Sequence, residues 1–428
     1  MKAIGIDIGT TSICGNLIDI STGDVENSIT CLYDAFCKTE NTWERIQDPK
    51  IIYTKTIEIL EKLICDDVIS IGVTGQMHGI LYLDKEGDPI SLLYTWQDMR
   101  GDLPFKDTTY ARFLGSSTGY GNVTHFYNKQ NKLVPQGMSS FCTIGDYFAM
   151  KISGRKTPIM HNSNAASLGS FDAVSGEFDC DVPTETVGDC RIVGEYKGVP
   201  ITVAIGDNQA SIIGSGTIVG SALVNIGTGS QISVIVSESR EVESSAELRP
   251  YVEGKFLLAG SALCGGRAYS ALKDFYSDII LSLTGTVPTD LYANMEKMLQ
   301  GETATTLNCN SQFAGSRKDP ESRGSISNIG LDNFAAKDMT IGILSGIVTE
   351  LHDIYEQNGM DKSTIKLIGA GNGVRKNKTL AKIIENTFSH KLNIPTCTEE
   401  AAYGAALFAA VGAGVFASVD EAQKIIKY

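Results

Sequence analysis

Apolar runs short enough for strands alternate along this chain with longer stretches in which apolar positions recur at helical spacing. Strands are predicted at Ile69 to Val73, Ile201 to Ile205, Leu223 to Ile226, Ser233 to Val236 and Ile365 to Ile368. Helices are predicted at Ile51 to Ile64, Gly265 to Leu283, Met339 to Gln357 and Thr379 to Phe388. Such alternation is the pattern of α/β layers. One pattern within it occurs twice. A β-type run from Ala3 to Ile8 enters Asp7-Ile8-Gly9-Thr10-Thr11-Ser12, and another from Ser221 to Ile226 enters Asn225-Ile226-Gly227-Thr228-Gly229-Ser230. Ile71-Gly72-Val73-Thr74-Gly75 is likewise echoed by Leu367-Ile368-Gly369-Ala370-Gly371, so the duplication reaches beyond the hairpins and implies two similar halves. The seam is expected between Ile212 and Val219, where Gly214, Ser215 and Gly216 supply flexibility. The stretch from Leu299 to Arg323, rich in Asn, Ser, Thr and Gly, reads as a surface insertion.

Composition removes several function classes. The 428 residues carry 36 Lys+Arg against 50 Asp+Glu, a formal charge of −14. Nucleic acid and anionic membranes are bound through clustered cations, so neither is an expected partner, and any anionic ligand has to be neutralised locally. Asp7 interrupts the apolar start where a signal peptide needs an unbroken run, and no run approaches the ~20 residues of a membrane helix. The expected location is cytoplasmic. The 10 Cys form no C-x-x-C pair, which gives no sign of a redox dithiol or zinc knuckle.

Each repeated turn offers a close-approach glycine, hydroxyls and amide groups, the inventory for a phosphate: Gly9, Thr10, Thr11 and Ser12 in one, Gly227, Thr228 and Gly229 in the other. Asp7 is charged where Asn225 is not, and a carboxylate facing phosphate helps only through a hydrated Mg²⁺. Gly369-Ala370-Gly371-Asn372-Gly373 lacks the spacing of a dinucleotide fingerprint but would let backbone lie against adenine or ribose. No G-x-x-x-x-G-K-[ST] is present, so phosphate would be held by amides, hydroxyls and metal. Asp207 ends an apolar strand and opens a helix. It is placed to cap that helix and to accept a proton from a substrate hydroxyl. Gln76, Met77, His78, Trp96, Gln97 and Asp98 gather the amide, imidazole, indole and carboxylate groups that a polyol needs. Singly, His78 and Trp96 also suit a core and Asp98 a loop cap.

Taken together, Gly5 to Ser12, Gly75-Gln76-Met77-His78-Gly79, Thr143 to Tyr147, Gly206 to Ser211, Asn225 to Ser230 and Glu399 to Ala406 resemble the FGGY carbohydrate kinases, members of the sugar-kinase, actin and Hsp70 superfamily. The resemblance implies an α/β fold of two ribonuclease-H-like domains around a central cleft, 1–213 mainly for sugar and 214–428 mainly for ATP, closing before transfer. It implies Asp207 as general base and Asp7 with Asp207 as the Mg²⁺-associated carboxylates. Sugar contacts are expected from Gln76, Met77, His78, Trp96, Asp98, Asn164, Asp207 and Asn208. Nucleotide contacts are expected from Gly9, Thr10, Thr11, Ser12, Gly227, Thr228, Gly229, Gly369, Gly371, Asn372, Gly373 and Asn377. The partner is a small-molecule sugar, and a homodimer is compatible with the resemblance. Trp96-Gln97-Asp98, Asn164-Ala165-Ala166-Ser167 and Arg249-Pro250-Tyr251 lean to sedoheptulokinase-like members, with xylulokinase-like members as the alternative. A nucleotide-gated module without transferase activity is the remaining option, disfavoured by the polyol-type residues.

Overall fold

The computed structural model describes residues 1–428 apart from 181, 244, 317, 318, 320 and 361–365. Ile365, where the last predicted strand begins, therefore lies outside the described residues, as do Arg317, Lys318 and Pro320 of the predicted insertion. By its contacts the chain divides into two units, one of residues 1–216, 249–256 and 397–427, the other of 217–248, 257–396 and 428.

In the first unit, β1 (Lys2–Ile8) and β2 (Ser12–Asp19) form the first hairpin, extended by β3 (Val25–Leu32). Ala3, Ile4, Ile6 and Ile8 are all fully buried, because the sheet is covered on both faces. Helix α1 (Pro49–Leu63) begins where Asp48 accepts the Lys50 N–H and Pro49 supplies a preset φ. It leads to β4 (Val68–Gly75), parallel to β1. Helix α2 (Ile144–Ile152) opens with a Thr143/Asp146 capping box, and the short α3 (Asn162–Ser167) follows. Then come β5 (Ile192–Tyr196), β6 (Val199–Thr202), β7 (Ile205–Gly206) and α4 (Asp207–Ser215). The sheet order is β5-β6-β4-β1-β2-β3, with β7 also paired to β4. The single strand predicted over 201–205 is thus two. Pairing with β4 shifts by one residue between Ile201–Ile71 and Ile205–Thr74, and in the interruption the Ala204 carbonyl accepts from the Asn164 side chain while the Val203 N–H donates to the Arg191 carbonyl.

The second unit repeats the opening. Strands β8 (Ser221–Ile226) and β9 (Ser230–Val236) make its hairpin, followed by β10 (Ala246–Pro250), β11 (Phe256–Ala262) and α5 (Gly266–Thr284). The long α6 (Ala336–Gln357) buries Ile341, Leu344, Ile347, Val348 and Leu351 in the core beneath the sheet. Strand β12 (Lys366–Ala370) lies parallel to β8, and α7 (Gly371–Lys376), α8 (Lys378–Phe388) and β13 (Leu392–Asn393) complete the order β10-β11-β9-β8-β12-β13. The predicted surface insertion is partly anchored: Leu307 and Ser311 are buried.

The chain then returns to the first unit as α9 (Glu400–Gly412). A Cβ at Gly5, Gly72, Gly214 or Gly404 would stand 1.8–1.9 Å from a carbonyl oxygen, at the interfaces of α9 with the sheet and with α4. Backbone therefore meets backbone there, which only glycine permits. By contacts residues 397–427 group with the first unit, where the duplication led to the second being expected, and Gly214, expected as part of a flexible link, is a packing glycine inside a helix. The turn itself falls at Gly216, the left-handed cap of α4 with φ 76°.

Candidate active site

Register assembles the first unit's site. Asp7 pairs with Thr74 and Ile8 with Gly75 on one side of β4, while Ile205 pairs with Thr74 and Gly206 with Gly75 on the other. Three parallel strands therefore end together, and Gly9-Thr10, Gln76-Met77-His78 and Asp207 leave the sheet side by side, the edge where open α/β sheets bind ligands. Gly206 occupies the N-cap position of α4, so Asp207 is the first helical residue and not the cap.

The Asp207 carboxylate is close enough to oppose the ionisation of Asp7. Burial raises Asp7 to about 7, with the charges of Asp207 and Glu399 adding to it. Burial likewise raises Asp207 to about 6, opposed by the Asn208 N–H and the Arg249 charge. Arg249 also donates from Nη1 to Asn208 Oδ1 at 3.3 Å. Asp7 Oδ1 is buried with no hydrogen-bond partner. A buried carboxylate oxygen without a hydrogen-bond partner, within the electrostatic reach of a second carboxylate, suits a hard cation. Among the described residues no group of three or more His, Cys, Asp and Glu could hold a metal ion.

Around this pair the polar residues form a linked set. Thr10 Oγ1 lies 3.3 Å from Gln76 Oε1 and accepts the Trp96 indole N–H at 3.0 Å. Gln47 donates to the Thr10 carbonyl at 2.8 Å and accepts from Gln76 Nε2 at 3.0 Å, and the Tyr33 hydroxyl donates to the Gly9 carbonyl at 2.5 Å. Neither Gln47 nor Tyr33 carries a local sequence signal. Trp96 is pinned by its N–H yet 47% exposed, which leaves ring surface for a ligand. His78 adopts φ 72° and stacks on Tyr120, ring centroids 4.4 Å apart. Its Nδ1 lies 2.7 Å from the Ser167 carbonyl, an acceptor only, so Nδ1 holds the proton and Nε2 is the acceptor nitrogen.

Other expected contacts are placed elsewhere. Asp98 is fully buried: Oδ1 accepts Arg100 Nε at 2.6 Å, and Oδ2 accepts Arg100 Nη2 at 3.1 Å and the Arg45 N–H at 3.0 Å. Met77 is buried beneath Gly206. Asn164 is buried, its Nδ2 shared between Asp146 Oδ1 and the Ala204 carbonyl. The polar atoms of Asp98 and Asn164 are thus bonded within the protein, and Met77 is packed under the start of α4.

In the second unit, Asn225 pairs with Ala370, bringing the 227–229 and 371–373 turns together. Gly371 has φ 84°, and a Cβ there would meet Asn225 Oδ1 and the Ile226 carbonyl, each at 2.5 Å. The Gly266 N–H donates to the Gly227 carbonyl at 2.8 Å and the Arg267 N–H to the Thr228 carbonyl at 3.1 Å, fixing the first turn on the start of α5. Gly227 has open space at its Cβ position, and Asn372 is exposed. Gly369 instead lies inside β12 against Val374 and Leu392, and Asn377 caps α8 through the Leu380 N–H at 2.8 Å. Both have these packing and capping roles within the protein.

Two units, each an antiparallel hairpin flanked by a parallel strand with a polar turn at its end, are of the ribonuclease-H-like type that sugar kinases share with actin and Hsp70. The N-terminal domain of the FGGY family of carbohydrate kinases matches residues 2–108, and its C-terminal domain matches residues 222–413. The chain belongs to this family and is a carbohydrate kinase. It is 26% identical to a sedoheptulokinase of Mus musculus, covering 94% of this chain and 96% of that one. It is 24% identical to a xylulose kinase of Staphylococcus xylosus, covering 98% and 92%. The ligand-bound xylulose kinase of Lactobacillus acidophilus has a similar fold, with TM-score 0.82 at 18% identity over 100% of this chain and 92% of that one. No helix among the described residues is long and apolar enough to cross a membrane.

Proposed function

We propose that the chain transfers the γ-phosphoryl group of Mg-ATP to the C7 hydroxyl of sedoheptulose, with Asp207 as general base. The observation that carries the reading is the carboxylate pair at the strand ends, Asp7 with a buried unsatisfied oxygen and Asp207 on the first turn of α4. Asp207, raised only to about 6, is ionised at neutral pH and basic enough to take the C7 proton as the oxygen attacks the γ-phosphorus and ADP leaves. Asp7 and Asp207 would hold Mg²⁺ through water, and the ion would supply charge neutralisation for the transferring group. His78 Nε2 and the Trp96 ring are the proposed acceptor and apolar cover for the sugar. The turns at 227–229 and 371–373 are the proposed phosphate and nucleoside contacts, leaving Gly9 and Thr10 to the transferred group.

Support for the seven-carbon ketose comes from Trp96-Gln97-Asp98, Asn164 to Ser167 and relatives named sedoheptulokinase in Mus musculus and Homo sapiens, 26% and 24% identical. The Staphylococcus xylosus relative supports xylulose as the second reading. A pocket that pairs the extra hydroxyls of the longer sugar leaves polar groups unsatisfied when the shorter one binds. ADP release is measured across ketoses, aldoses and polyols. The expected result is the highest kcat/KM with sedoheptulose. A value for xylulose that equals or exceeds it transfers the assignment to xylulose.

A further inference from the structure

Helix α3 is short, yet its side chains and backbone reach both arms of the site. At its C-terminal end Ser167 Oγ accepts the His78 N–H at 3.0 Å, and the Ser167 carbonyl faces His78 Nδ1. At its N-terminal end Ser163 Oγ accepts the Gly206 N–H at 2.9 Å, one residue before Asp207. The Ser163 hydroxyl proton is then left for His161 Nδ1, 2.8 Å away, which also accepts the Ser163 N–H at 3.1 Å. Asn164 Nδ2 donates to the Ala204 carbonyl at 3.2 Å and is fixed by Asp146 Oδ1 at 2.9 Å, itself held by Thr143. His161, Ser163, Asn164 and Asp146 are all at most 2% exposed.

We infer that Ser163 and Asn164 are positioning residues of the phosphoryl transfer: they hold the 204–206 segment at its two ends, the Gly206 N–H and the Ala204 carbonyl, and thereby fix where the Asp207 carboxylate stands. The clamp takes the place of the ladder that fails between β6 and β7. It explains why a strand interrupted at Val203-Ala204 still delivers Asp207 to one place, and what the buried Asn164 amide does for the chemistry. Burial lowers His161 to about 4, so its Nδ1 stays an acceptor across the neutral range and the Gly206 to Ser163 to His161 chain keeps one direction. A base misplaced by about 1 Å costs up to ~10²-fold in rate without loosening substrate.

The inference rests on Asp207 as the base, so Asp207→Asn is measured beside Ser163→Ala, Asn164→Ala and Ser163→Cys. Steady-state kinetics use Mg-ATP and whichever ketose the wild-type enzyme prefers. Ser163→Ala and Asn164→Ala are expected to lower kcat ~10-fold or more while KM for sugar and ATP stays within about twofold. Ser163→Cys keeps a weak acceptor for the Gly206 N–H and should recover part of the loss. Thermal melts by circular dichroism identify folded variants, and if Ser163→Ala does not fold, Asn164→Ala and Ser163→Cys decide by the same split. Retained kcat in the folded clamp variants, with or without a raised sugar KM, overturns the clamp while an inactive Asp207→Asn leaves the base standing. Turnover by Asp207→Asn overturns the base first.

Discussion

Asp7 and Asp207 carry opposite consequences for catalysis and for stability. A base raised to about 6 gives kcat/KM an acidic limb near that pH, with activity rising as Asp207 ionises. Between about pH 4 and their folded values of about 7 and about 6, the two carboxyls hold protons that the unfolded chain, with ordinary carboxylate pKa values, has already released. Stability is therefore highest near pH 4 as far as this pair is concerned, and falls as pH rises through about 7. Melting temperatures across that range should show the decline. Mg²⁺ should reduce it at pH 7 and above, and Asp7→Asn should flatten it while raising the Mg²⁺ needed for turnover. A magnesium titration unchanged by Asp7→Asn would remove Asp7 from the metal site. Asp98 makes a different prediction. Removing it leaves the buried Arg100 guanidinium without its carboxylate, so Asp98→Ala should cost about 3–5 kcal/mol in chemical denaturation. An unchanged stability with a raised sugar KM would instead return Asp98 to the list of sugar contacts.

At the scale of elements, the repeated hairpins were legible because each is a local event: an apolar strand, a Gly-Thr turn and a returning strand within a few residues. The helices were legible for the same reason, since their spacing lies within one segment. The intramolecular partners of Asp98, Asn164 and Asn377 were not, because each depends on which atoms their oxygen or nitrogen meets after folding. Arg100 lies beside Asp98 in sequence, but Asp146 and Ala204 reach Asn164 only through the fold. Gln47 escaped notice because nothing in Ile46-Gln47 marks a site until the strand ends are brought together. Asn377 exposes the difference between a motif and a contact: as the cap of α8, its replacement by Ala should cost about 1 kcal/mol with little change in KM for ATP. A large rise in KM at unchanged stability would make it a nucleotide contact after all.

Over the whole molecule, duplication set the plan but not the chain path. The second half was expected to keep everything after the seam, whereas α9 completes the first unit's core through contacts too close for any side chain on Gly5, Gly72, Gly214 or Gly404. Sequence could not show this, because an Ala-rich helix fits either sheet until those glycines are seen beneath it. A chain ending at residue 396 should accordingly lose the first unit's fold, seen as loss of cooperative melting, and cooperative wild-type melting would contradict the placement of α9. The central claim is that one carboxylate, set at the end of the sheet by register and by the start of α4, performs the proton transfer. Asp207→Asn tests it most directly, with single-turnover transfer and ATP binding measured on the same folded protein. The account predicts a loss of ~10² or more in rate with ATP affinity nearly unchanged. A variant keeping at least about a tenth of wild-type turnover would contradict it.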